Sequence, residues 1–286
     1  MGVTDSMRVR ERLSQPSLVG IASVLVLVVL SAIGVIAGFW TVVVVSWVGF
    51  VAMSLSIIPG SQTAMNADRL VWGYGLSSGA MVTSAAVFLV PEAIGYSPSI
   101  GGFGIAAGLL VGFGAHTIGH RLSHLDGSDT TAVQLTAHSL ADGVIVGLVY
   151  AAAPDLGLLL GLGVISHKGP AGYAAARRLS RAGKSASVLL LPAAGVGLAA
   201  LPIALINPPE SPIVNAAIFG FATGIFLHIA MDFLPECEIG SEIGNAIGQE
   251  ESADVHAELD RLRVHAVVST ILGASGVAIA WGLLAL

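Results

Sequence analysis

The chain has 286 residues, of which 55% are hydrophobic and only 10% charged. Soluble domains carry about 25% charged residues, so this composition excludes an ordinary soluble domain and predicts an all-α polytopic membrane protein. The formal charge of −6 owes much to one acidic stretch near the C-terminus, and the lone cysteine, Cys237, excludes an intrachain disulfide and any thiolate metal cluster.

Apolar runs at roughly 17–38, 40–59, 71–95, 100–120, 131–152, 157–179, 186–206, 212–236 and 264–286 predict nine transmembrane helices. Each is near the ~20 residues that cross a bilayer. The first is longer than the core of a signal peptide and has no clear cleavage site, so it reads as an anchor, with a turn at Gly38-Phe39-Trp40 before the second. The third carries Met81 near its middle and ends Phe88-Leu89-Val90-Pro91-Glu92, placing Glu92 at one mouth, where it can attract cations. The fourth ends in His116, His120 and His124, spaced by four and followed by Asp126 and Asp129.

The fifth run is the most polar. It contains Thr130, Thr131, Gln134, Thr136 and Ser139 around His138 and Asp142, and is expected to avoid lipid. The sixth holds His167-Lys168-Gly169-Pro170 in its interior. Pro170 removes a backbone donor and frees the carbonyl one turn earlier, near Ser166 and His167. In a membrane that carbonyl needs a partner, for which a hydrated ion path is one source. The eighth presents His228, Asp232 and Glu236 at helical spacing and ends Phe233-Leu234-Pro235-Glu236, echoing the end of the third. Related ends running in opposite directions suggest inverted repeats. The connection 237–263 is acidic and reads as the solvated face of an interfacial helix.

Orientation follows from the basic residues. With a cytoplasmic N-terminus, nine spans place 1–16, 60–70, 121–130, 180–185 and 237–263 inside. Arg8, Arg10, Arg12, Arg69, Arg121, Arg177, Arg178, Arg181, Lys184, Arg261 and Arg263 all fall in or beside these segments, and Lys168 is intramembrane. The positive-inside rule then puts the N-terminus in the cytoplasm and the C-terminus outside, in the cell (plasma) membrane.

Ionisable side chains at membrane depth cost of order 2.5–3.5 kcal/mol each near a helix centre, and such residues mark functional pathways. His138 and Asp142 are four apart and share one helical face. Counting along the spans places them, His167 and Met81 near the midplane. Imidazole suits Zn, Fe, Ni or Cu, carboxylate extends the range to Mn, and a thioether adds softness. An interhelical hydrogen-bonded pair is the alternative reading of His138 and Asp142, and packing is that of Met81. His116, His120, His124, His228, Asp232 and Glu236 could pass an ion toward the inner face. Interfacial anchoring and helix-end polarity explain the same residues.

At these positions the chain resembles the ZIP (Zrt/Irt-like) family of divalent-metal transporters, over roughly residues 40–286. His138-Ser139-Leu140-Ala141-Asp142-Gly143 is similar to the family's His-Asn-x-x-Asp/Glu-Gly, with Ser139 for Asn. His167-Lys168-Gly169-Pro170-Ala171 keeps the His and Pro of His-Glu-x-Pro-His/Glu and loses both acids. Val90-Pro91-Glu92 and Asp232-Phe233-Leu234-Pro235-Glu236 resemble its second and seventh core helices, with Met81 where some members place a Met ligand.

The resemblance implies residues 1–39 as an N-terminal segment with an extra transmembrane helix, and 40–286 as an eight-helix core with inverted repeats. It implies uptake of Zn²⁺, Fe²⁺ or Mn²⁺ into the cytoplasm, a homodimer in the lipid bilayer, and neither catalysis, resident cofactor nor nucleic-acid partner. Many members hold two adjacent ions. Here Ser139, Lys168, Ala171 and the apolar stretch around Ala194 stand where the second site draws its donors, so a single ion on Met81, His138, Asp142 and His167 is expected, with Lys168 standing roughly for the second cation. A proton-coupled transporter of a small solute, relaying through Asp142 and Lys168, and a membrane-embedded zinc hydrolase are the readings from other classes.

Overall fold

The computed structural model describes residues 17–62, 67–123, 130–154, 157–206, 211–232, 234 and 253–284. Among them every regular element is helical and no strand occurs. In chain order the elements are α1 (Leu18–Ile36), α2 (Trp40–Gln62), α3 (Ala67–Ser84), a π-helical turn (Ala85–Leu89), α4 (Val90–Tyr96), α5 (Pro98–Ser123), α6 (Thr130–Ala152), α7 (Gly157–Arg181), a 3-10 turn (Ala186–Leu189), α8 (Leu190–Ala204), α9 (Pro212–Asp232) and α10 (Ala253–Leu284).

Eight helical stretches among the described residues are long and apolar enough to cross a membrane. They correspond to eight of the nine expected spans. The exception is α7, the expected sixth. It is 25 residues long, but Ser166, His167, Lys168 and Pro170 interrupt its apolar sequence, and it falls short of the apolarity of the others.

Local chemistry explains where the helices begin and bend. The Ser17 hydroxyl caps α1 by accepting the Gly20 N–H at 3.3 Å. The chain reverses as expected at Gly38, whose φ of +86° is open to glycine but costly for other residues. The expected third span is not one regular helix. Pro91 offers no N–H to the preceding turn, and just before it Val90 N–H reaches back five residues to the Ala85 carbonyl. That single wide turn separates α3 from α4, and such turns recur at functional positions. At the other end of the chain, α10 begins at Ala253, so 253–263, read as part of the solvated face of an interfacial helix, is helical and continuous with the last expected span.

The chain divides into two compact units. The first comprises Met1–Thr63, Ala115–Leu158 and Ala171–Asn207. In it α8 lies against α1, α2 and α6. Glycines let α6 and α8 approach closely: a Cβ on Gly143 would meet Ala199 Cβ at 2.9 Å, and one on Gly195 would meet Ser139 Cβ at 2.8 Å. Close helix approach through small residues gains dispersion contacts where no hydrophobic drive separates helix from lipid. The end of α7 joins this unit through Ala175, Ala176 and Leu179, packed with Leu189. On the α1 side the Ser31 hydroxyl donates to the Leu27 carbonyl at 2.7 Å and accepts the Trp47 Nε1–H at 2.9 Å.

The second unit comprises Ala64–Gly114, Leu159–Pro170 and Pro208–Leu286. Here α10 runs along α3 and α9 packs on α3 and α4. Val71, Leu262 and Ala266 form a buried cluster at one end of the α3–α10 pair. The Arg261 guanidinium closes that end by donating to both Asp68 carboxylate oxygens, at 3.1 and 3.2 Å.

Candidate metal site

His138 and Asp142 project from α6 one turn apart, with Nε2 and Oδ2 separated by 3.8 Å. That is an ion-pair distance, longer than a hydrogen bond. The Asp142 side chain is fully buried, whereas 17% of the His138 side chain is exposed. The neighbouring Ser139 is also fully buried and sits beside Gly195 of α8. No His, Asp, Glu or Cys occurs between Leu190 and Ala204, so α8 offers no further strong donor here.

In α7, His167 and Lys168 are adjacent and both inaccessible, at 0% and 1% exposure. Ala171, one turn after His167, is buried as well. Three contacts set the register of α7 against α3. A Cβ on Gly73 would meet the Pro170 ring at 3.2 Å. The Ser77 hydroxyl lies 2.9 Å from the Ser166 carbonyl. A Cβ on Gly163 would meet Ser84 Oγ at 3.2 Å. The two segments are therefore antiparallel, and Met81, fully buried, falls on the α3 stretch between the last two contacts.

His138 and Asp142 belong to the first unit and His167 to the second, and each of the three side chains offers a ligand atom for a metal ion. Two imidazoles and a carboxylate are a donor set for borderline divalent ions, with coordination positions left for water or a softer ligand.

The sequence anticipated an orphan carbonyl one turn before Pro170 and considered a hydrated path as its partner. The Ser77 hydroxyl lies within donating distance of that carbonyl, at 2.9 Å. Sequence reasoning did not single out Ser77; the signal available was the proline, which announces the orphan without saying which helix answers it.

The remaining candidates are spread along the chain. Glu92 lies in the first turn of α4 and is half-buried. His116 and His120 fall within α5, while His124 and Glu236 lie outside the described residues. On α9, His228 Nε2 and Asp232 Oδ2 are 3.4 Å apart, a second His–Asp pair at the spacing of the first. Gly112 of α5 lies against it, and a Cβ there would meet His228 Cδ2 at 2.6 Å.

No protein-family model matches the chain, and no curated protein matches it.

Proposed function

We propose that this protein carries divalent transition-metal ions, Zn²⁺ foremost and Fe²⁺ or Mn²⁺ as alternatives, across the cell membrane into the cytoplasm, one ion at a time. The observation that carries the reading is the donor set. His138 and Asp142 stand one turn apart on α6, and His167 is fully buried in α7, so two imidazoles and a carboxylate lie within expected membrane spans. Buried ionisable groups in membrane helices are rare because they are expensive, and they mark ion pathways when they occur together. The similarity of His138–Gly143 and His167–Pro170 to the two ZIP-family signatures supports the same conclusion, as does the distribution of basic residues, which independently orients the chain for uptake.

A single ion accounts for the departures from those signatures. Ser139, Lys168 and Ala171 replace an amide and two acids. Lys168 is as inaccessible as its neighbour His167, and it stands where the family places a carboxylate. Met81, buried on α3 in the register described above, is the softer fourth ligand, with water completing the shell. His228 and Asp232 are stations along the path, and the protein works as a homodimer.

The test is a count. Purified protein equilibrated with Zn²⁺ and freed of excess is expected to retain about one ion per chain by elemental analysis, and His138→Ala to retain none. Two ions per wild-type chain, or retention by the variant, counts against the proposal.

A further inference from the structure

We infer that Ser77 of α3 is a positioning residue for His167. The inference deepens the metal-site reading, on which it rests for His167 being a ligand. Its geometry stands independently of any ion.

Pro170 sits in the interior of α7. Lacking an N–H, it cannot give the Ser166 carbonyl its usual helical bond. The oxygen left over belongs to the peptide group that joins Ser166 to His167, the same rigid plane that carries the His167 nitrogen. Whatever holds that oxygen holds the plane from which the His167 side chain departs.

The Ser77 hydroxyl is within reach of two carbonyls, Gly73 at 2.8 Å and Ser166 at 2.9 Å. It has one proton to donate. The Gly73 carbonyl lies within α3, four residues before Ser77, and can receive the regular backbone bond from Ser77 N–H. Ser166 has no donor at position 170, so the hydroxyl proton is worth more on the α7 oxygen. Ser77 is 2% exposed, and an unpaired carbonyl at such depth carries a desolvation penalty.

One turn along α3, Gly73 leaves the space into which the Pro170 ring docks, with a hypothetical Cβ already 3.2 Å from that ring. Gly73 and Ser77 therefore receive, in register, the two consequences of one proline: its bulk and its missing hydrogen bond. Met81 lies one further turn along α3. The same pairing that fixes the His167 peptide plane fixes its height relative to the proposed thioether ligand.

The experiment uses the full-length protein in nanodiscs, with Co²⁺ as probe, and five chains: wild type, Ser77→Ala, Ser77→Thr, Pro170→Ala and the Ser77→Ala/Pro170→Ala double variant. Partners that orient a metal-binding histidine commonly contribute 10–100-fold in affinity. Ser77→Ala is accordingly expected to weaken Co²⁺ binding about tenfold and to alter the Co²⁺ visible spectrum. Adding Pro170→Ala restores much of the affinity, because residue 170 then supplies the N–H that Ser166 lacks. Ser77→Thr, which keeps the hydroxyl, binds like wild type.

A Ser77→Ala chain that loses thermal stability but keeps its Co²⁺ affinity and spectrum has lost packing only, and overturns the inference. So does a double variant no better than Ser77→Ala. Should wild type bind no Co²⁺, the metal reading fails by itself. The positioning claim is then decided by hydrogen exchange across 163–171: faster in Ser77→Ala and reversed by Pro170→Ala if it is right, unchanged if it is wrong.

Discussion

At the scale of single residues, the candidate site residues were legible in the sequence because polar residues stand out against an apolar chain. His138, Asp142, His167 and Lys168 are conspicuous by type and spacing alone. What spacing could not supply was their depth of burial. A lysine in a membrane helix can extend its ammonium toward the interface, whereas Lys168 is held at 1% exposure. Lys168 is thus a buried side chain rather than a surface anchor. Replacing it with carboxylate chemistry, by Lys168→Glu together with Ala171→Glu, is expected to raise bound Zn²⁺ from one toward two ions per chain in elemental analysis. An unchanged count would show that Lys168 does not stand in for a second cation. Ser77 marks the opposite limit. A serine in a membrane helix usually bonds back to its own preceding turn, and only the register of α3 against α7 shows that this one also reaches Ser166.

At the scale of elements, hydropathy located helices well and their interruptions poorly. The turn at Gly38 was readable because one residue type fits it. The wide turn at Ala85–Leu89 was not, because a proline announces a perturbed helix without stating whether it kinks, widens or ends. The acidic stretch before the last span was read as the solvated face of a helix, but its continuity with that span in α10, from Ala253 onward, was not legible because charge marks solvation and not where one helix ends. Packing between elements depends on individual glycines, and two of them make contrasting cases. On Gly143, beside Asp142, a Cβ would meet Ala199 Cβ at 2.9 Å and the Val196 carbonyl carbon at 3.0 Å. Overpacking of this kind costs about 1–3 kcal/mol, so Gly143→Ala is expected to lower the melting temperature in detergent and to weaken metal binding by displacing α6 from α8. On Gly102 of α5 a Cβ would meet nothing within 4 Å, and Gly102→Ala is expected to melt no lower than wild type. Equal behaviour of the two variants would mean that the α6–α8 approach does not limit stability.

At the scale of the whole molecule, composition alone set the class: among the described residues every regular element is helical, and eight helical stretches are long and apolar enough to cross a membrane. The proposed direction across that membrane rests on the distribution of charge, and the chain contains a natural reporter of it. Its one cysteine, Cys237, lies in a connection that the positive-inside arrangement assigns to the cytoplasm. A membrane-impermeant maleimide is expected to leave Cys237 unlabelled in intact cells and to label it after permeabilisation. Labelling of intact cells would reverse the orientation and, with it, the direction of transport. The central claim is that a buried site containing His138 conducts metal, and flux tests it most directly. Zn²⁺ uptake into proteoliposomes is expected to be saturable with the wild-type protein and to fall to the protein-free background with His138→Ala. Equal uptake by the two, or none by the wild type across Zn²⁺, Fe²⁺ and Mn²⁺, would contradict it.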